Sequence, residues 1–297
     1  MRELHPAFMD DLQAGRLRAL LERVRLDCTL DLEIRKDYLN IYYRGGNLLR
    51  LGRRGRAYTA RFDKKYARGA PLPVVPDRIG TEVEAQVWLD AFPHLKMAMD
   101  LFLGHHPKDE REVQQLIARD NNVGSVGRHT DYYVCDIEYQ EGRSRFDLVA
   151  VHWPGTDRKQ ARQRRLVIGE VKHGDNALGG AAGLHAHVRD VEEFLSDPAR
   201  VANLKAEMVG VFNQKRELGL LNSGRPLDSF SHELPVMLLI LANHTPRSTR
   251  LREALSTLPE TRHCEVLVAG SSLTGYGLFD ATIRSVAEVL DLPDTLV

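Results

Sequence analysis

The chain has 297 residues and a mass of 33.6 kDa, and its 43% hydrophobic content suffices for a sizeable core and excludes wholesale disorder. Its 41 basic and 41 acidic residues cancel to a formal net charge of +0, so any electrostatic signal for nucleic acid, membrane or an acidic ligand has to be local. The longest strongly apolar run, Leu234 to Ala242, falls far short of the roughly 20 residues of a spanning helix.

The opening MRELHPAFMDDL lacks the basic-then-apolar order of a secretory leader, so a cytoplasmic protein with no membrane partner is expected. Cys28, Cys135 and Cys264 are odd in number and far apart, which predicts reduced, structural thiols rather than disulfides or a zinc site. Leu17, Leu20, Leu21 and Val24 recur at helical spacing and predict a short helix over 15–26. From Asp31 the period changes to that of strands, with a hairpin turn at Arg44-Gly45-Gly46-Asn47. Nine basic residues (Arg44, Arg50, Arg53, Arg54, Arg56, Arg61, Lys64, Lys65 and Arg68) against Asp63 alone make this a basic β module. Pro71, Pro73 and Pro76 exclude continuous helix and read as a linker, so the module is expected to end near residue 80.

Beyond the linker, 81–103 is predicted helical with a break at Pro93, and a second helix is predicted over 108–121. Three strands follow in quick succession, TDYYVCDIEY, RFDLVAVHW and RLVIGEVKH. A glycine-rich connection leads to two helical stretches, GLHAHVRDVEEFLSD and PARVANLKAEMVGVFNQKRELGLL, and then to LPVMLLILA, apolar enough to be a strand buried on both faces. A helix near 249–258, the strand CEVLVAG and a helix near 281–290 extend this α/β body, so residues 81–297 are expected to form the second domain.

In RLVIGEVKH, Glu170 and Lys172 stand two apart, which on a strand sends both to one face. Asp147 sits among apolar residues in the preceding strand, and charged groups so placed need a reason. A hairpin register displaced by one residue either way puts Asp147 across from Glu170 or Lys172; the register centred on the loop puts it on the wrong face. Directly opposed residues lie about 4.5–5.5 Å apart at Cβ, close enough for two carboxylates to share a divalent ion.

This D…E-x-K arrangement, Phe146-Asp147 and Glu170-Val171-Lys172 within an αβββαβ succession over roughly 108–245, resembles the PD-(D/E)XK nuclease superfamily. Phe146 stands where that family often has proline. The resemblance implies a restriction-endonuclease-like fold in which Asp147 and Glu170 hold Mg²⁺, with Mn²⁺ as a substitute, and Lys172 orients or deprotonates the attacking water. The family often adds an acid from its first helix. Against the stripe Val113, Leu116 and Ile117, Glu110 lies about 67° from the centre and Glu112 about 93°, which favours Glu110 as the outer metal ligand. Both could equally be solvated acids at a helix start.

Competing features have plainer readings. Asp136 and Glu138 share a strand face and suit a polar face or ion pair, whereas His185 and His187, at i and i+2 on a helix, cannot jointly bind a metal. A second basic cluster, Arg158, Lys159, Arg162, Arg164 and Arg165, joins the two proposed active-site strands and could approach a phosphate backbone. Together with Arg44, Arg50, Arg53, Arg54 and Arg56 it forms the expected nucleic-acid surface. The resulting expectation is a Mg²⁺-dependent endonuclease acting on DNA, with a homo-oligomer or protein activator compatible with it. The alternatives are a catalytically silent nuclease fold that binds nucleic acid, and a partner- or signal-activated defence effector.

Overall fold

The computed structural model describes residues 2–67, 71–123, 129–156, 158, 164–244, 248–270 and 275–292. The chain is mixed α/β and divides into two compact units, Met1–Gln115 with Gly210–Leu221, and Leu116–Val209 with Asn222–Val297.

The first unit opens with α1 (Pro6–Gln13) and α2 (Arg18–Leu26), then builds an antiparallel sheet from β1 (Leu30–Ile34), β2 (Tyr38–Tyr43), β3 (Gly46–Arg54), β4 (Ala57–Arg61) and β5 (Arg78–Ile79), neighbours in sequence order. The expected hairpin is thus part of a five-stranded meander. Arg44 and Gly45, at φ 48° and 65°, make the predicted tight turn, and a side chain at position 45 would collide with the Arg111 backbone at 2.5 Å. Alternation buries Leu32, Ile34, Leu39, Ile41, Leu49, Leu51 and Ala60 on one face, where the register brings them side by side. Ile79 pairs with Tyr58, and α3 (Glu82–His105) packs against β3 and β5. The predicted boundary near residue 80 is therefore replaced by one at 115, because the proline segment leads into an edge strand of the same sheet.

A capping box of Thr81 and Glu84 starts α3. The helix continues through Pro93 without the predicted break: Pro93 lies on the exposed side, while Trp88, Phe92, Leu95 and Met99 are buried on the other and hold the two halves in line.

Helix α4 (Asp109–Asn122) leads into the second unit, a six-stranded sheet in the order β11-β10-β9-β8-β7-β6. Its strands are β6 (Tyr132–Glu141), β7 (Ser144–His152), β8 (Arg165–His173), β9 (Val236–Ala242), β10 (Glu265–Gly270) and β11 (Arg284–Ser285). β6, β7 and β8 are antiparallel, whereas β8, β9 and β10 are parallel. The β8-to-β9 connection contains α5 (Leu184–Leu195) and α6 (Pro198–Glu217), as a parallel pair requires a crossover. All seven residues of β9 are buried, in keeping with its uniformly apolar sequence. α7 (Thr249–Ser256) precedes β10, and the last predicted helix shrinks to α8 (Val286–Leu290), the residues before it forming β11. The order of elements from α4 is α4-β6-β7-β8-α5-α6-β9. No helix among the described residues is long and apolar enough to cross a membrane. None of the three cysteines is in a disulfide; Cys28 is exposed, and Cys135 and Cys264 are buried.

Candidate active site

The β7–β8 register resolves which face Asp147 occupies. Leu148 pairs with Gly169 and Val149 with Ile168, so the next step sets Asp147 across from Glu170, one of the two registers that bring the charged groups together. Leu148–Gly169 is the last regular pair of the ladder. Asp147 Oδ2 accepts the Val171 N–H at 2.9 Å, a side-chain carboxylate standing in for a backbone carbonyl as the strands part. Phe146 packs edge-on against Phe194 of α5 with ring centroids 4.9 Å apart.

Glu170 and Lys172 are each only 4% exposed. Lys172 Nζ lies 2.7 Å from Glu170 Oε1, and His187 Nε2, from α5, lies 3.1 Å from the same oxygen. Sequence spacing excludes a joint site for His185 and His187 and so leaves His187 unassigned; a lone histidine one turn into an amphipathic helix carries no signal until the helix is docked. Burial, then the positive charge of Lys172, pushes the His187 pKa down to about 4, while Asp190 and the Ala182 main chain pull the other way.

On the other side of β7, Glu138 falls between the Ile137–Leu148 and Tyr139–Phe146 pairs and hence opposite Asp147. Glu138, Asp147 and Glu170 thus form a row across three strands. The short turn at Gly142, φ 59°, which pairs Glu141 with Ser144, sets this alignment, and the bulge at Cys135 lies beyond it. Glu138 holds φ 54°, a left-handed backbone unusual for a strand residue, and its carboxylate pairs with Arg145. Burial works against the Arg145 charge, but the Glu138 hydrogen bond and the nearby charges of Asp147 and Glu170 hold its pKa above the ordinary value. The ion-pair reading of Glu138 therefore holds, and its position adds it to the candidate site. Asp136 is fully buried. Among the described residues, no three His, Cys, Asp or Glu side chains form a group able to hold a metal ion by themselves.

The end of β8 is pinned by residues that stand out in no sequence pattern. His244 Nδ1 lies 2.9 Å from Asp175 Oδ1 and its Nε2 3.3 Å from the Lys172 carbonyl, while Ser248 Oγ donates to Asp175 Oδ2 at 2.5 Å. These bonds hold the Asp175 carboxyl below the usual carboxylate range and fix the backbone that carries Lys172.

Other expected residues take different places. Glu112 pairs with Arg44 at 3.0 Å, and Arg44 also pairs with Asp100 at 2.9 Å, so Arg44 is an internal clamp of the first unit rather than an open phosphate ligand. Glu110, in the first turn of α4, belongs to the first unit and has no ion-pair partner among the described residues. The loop after β7 leaves the sheet at His152, five residues or about 17 Å along the strand from Asp147, so it emerges at the wrong end to sit beside the carboxylates. Its described arginines are also engaged. Arg158 bonds the Trp153 and Thr130 carbonyls, Arg164 lies 3.4 Å from Asp228, and Arg165 lies 2.7 Å from Glu265. Lys159 and Arg162 lie outside the described residues, as does Arg68.

His187 gives a pH-dependent expectation. The unfolded chain takes up a proton near pH 6.5 that the fold resists until about pH 4, so the stability contributed by the neutral ring is whole above 6.5 and is lost as pH falls toward 4. His187→Gln is expected to flatten that decline by up to about 3 kcal/mol, measured by urea unfolding at about pH 4.5 and pH 7.5. Equal slopes for both proteins would show that the ring is not held neutral.

No protein-family model, curated protein or solved structure matches this chain.

Proposed function

We propose that the chain is a metal-dependent nuclease that hydrolyses phosphodiester bonds within DNA, with a catalytic unit of the PD-(D/E)XK, restriction-endonuclease-like kind. One juxtaposition carries the reading: two carboxylates, Asp147 and Glu170, at facing positions of adjacent strands, with the Lys172 ammonium 2.7 Å from Glu170. Mg²⁺ is commonly held by one or two carboxylates together with water and substrate phosphate, so this pair fits it without a closed protein cage. When bound, the ion would neutralise the phosphate and lower the pKa of an attacking water. Lys172 would orient that water or take its proton, and would balance charge developing on the phosphate. Arg145, tied to Glu138, adds a fixed positive charge beside the row.

DNA affinity is assigned to the β3–β4 hairpin. Arg54 and Arg56 are exposed and Arg53 half-buried around Gly55, and none has an ion-pair partner among the described residues. Replacing Arg53, Arg54 and Arg56 together with alanine is expected to weaken binding and to reduce the slope of log K against log salt by up to about 0.9 for each phosphate no longer neutralised. An unchanged slope in a titration across salt concentrations removes the hairpin from DNA binding.

One observation favours a second reading. Lys172 and His187 both sit on Glu170 Oε1, so that oxygen is already engaged, as suits a silent fold or one released by a partner or signal. Incubating the purified chain with supercoiled plasmid and Mg²⁺, with a chelator control, separates these readings. Chelator-sensitive nicking by the chain alone supports the nuclease, binding without nicking the silent fold, and nicking only after a partner is added the regulated effector.

A further inference from the structure

We propose that the sheet of the first unit carries a binding site for a nucleoside phosphate, in a cavity of about 690 Å³ between β3, β4 and the proline segment. That volume lies within the ordinary range of small-molecule sites. The site requires neither Asp147 nor Glu170, so it stands apart from the nuclease reading.

Charge comes first. Arg50 and Arg61 line the cavity and are paired directly across β3 and β4, the arrangement in which like charges repel most on a sheet. Both are exposed, and Lys64 joins them from the turn that follows β4. Among the described residues none of the three has a carboxylate within ion-pair distance. Arg50 is instead oriented by the Tyr38 ring, with its guanidinium 3.9 Å from the ring centroid. Asp63 and Asp77 also line the cavity, Asp63 paired with Lys65, so three cations outnumber two carboxylates there, which suits a phosphate that arginine can bind with two parallel hydrogen bonds.

The other lining groups define the rest of the ligand. Phe62 and Val75 supply an apolar wall suited to a planar base. Asn47 also lines the cavity; its Nδ2 donates to Asn40 Oδ1 at 2.9 Å, but its Oδ1 is buried and has no hydrogen-bond partner. A buried acceptor left in that state costs free energy that a donor on the ligand would recover once the Asn47 amide turns toward the cavity, and a base amino or ring N–H supplies one. Cations, an apolar wall and a single buried acceptor describe a nucleoside phosphate more closely than inorganic phosphate, which has no use for the last two. The same chemistry is offered by a free nucleotide and by the 5′-phosphorylated end of a single strand.

The test is binding to the full chain without divalent metal, by calorimetry and thermal melting, using nucleoside monophosphates, the matching nucleosides, inorganic phosphate and a 5′-phosphorylated oligonucleotide. At least one phosphorylated base compound should bind at least tenfold more tightly than its nucleoside or phosphate alone, and Arg61→Gln and Asn47→Leu should each weaken it by about tenfold or more. Melting gives a signature that a merely structural arginine would not. Without ligand, Arg61→Gln should melt about 1 °C or more above wild type because an opposed like-charge pair is gone, yet ligand should raise only the wild-type midpoint substantially. Tight binding of the monophosphate assigns a free nucleotide as the source, and tight binding of the oligonucleotide alone assigns a strand end; both support the site. Equal affinity for inorganic phosphate and every nucleotide, or nucleotide binding unchanged in both variants, overturns it.

Discussion

Asp147→Asn, Glu170→Gln and Lys172→Ala are each expected to reduce plasmid nicking by about 10²-fold or more, and they should separate when metal binding is measured. The two carboxylate changes remove the charged oxygens proposed as ligands and should weaken Mg²⁺ binding in calorimetry. Lys172→Ala removes no ligand and deletes a positive charge beside Glu170, so its ion binding should hold or strengthen. Asparagine is the informative replacement at 147 because its amide oxygen can still accept the Val171 N–H that Asp147 Oδ2 accepts at 2.9 Å. Loss of nicking with an unchanged circular dichroism spectrum then reports on chemistry rather than on the strand end. A folded Asp147→Asn protein that binds Mg²⁺ and cuts like wild type would show that the site lies elsewhere.

What sequence could reach was set by how locally each feature is determined. RLVIGEVKH reads as a strand and is one over its full span, and period-2 alternation places Glu170 and Lys172 together without knowledge of neighbours. The facing of Asp147 was beyond it, because parity depends on how a long loop spends its residues and a one-residue slip reverses the face. Glu138 was within reach, because the short turn at Gly142 fixes one register from Glu141–Ser144 to Asp136–Val149 and so sets Glu138 opposite Asp147; the bulge at Cys135 lies beyond it. His187 and His244 come from helix and loop segments far along the chain, and only docking brings them to Glu170 and to the Lys172 carbonyl. The basic clusters misled for a related reason. Positive charge is visible in composition, but whether an arginine is open or already bonded, as Arg44 and Arg165 are, depends on partners dozens of residues away.

The largest effect on stability is expected at a pair that no sequence pattern announces. Lys215, near the end of α6, places its Nζ 2.6 Å from Glu33 Oε1 on β1, and the two side chains are 1% and 0% exposed. Moving two charges out of water is costly, and their mutual attraction in the interior offsets that cost only while both are present. Lys215→Met keeps the length and apolar character of the stem but strands the Glu33 carboxylate, so it should cost about 3 kcal/mol or more. Arg35, whose Nη1 lies 3.6 Å from Glu33 Oε2, should keep the loss at the lower end of the range for broken buried pairs. Adding Glu33→Gln to Lys215→Met removes the stranded charge and should recover a large part of the loss, even if the single variant is too unstable to purify. Urea unfolding of wild type, both single variants and the double variant gives the coupling directly. A Lys215→Met protein within about 0.5 kcal/mol of wild type, the range of an ordinary surface change, would mean that the ammonium does not offset the buried Glu33 charge.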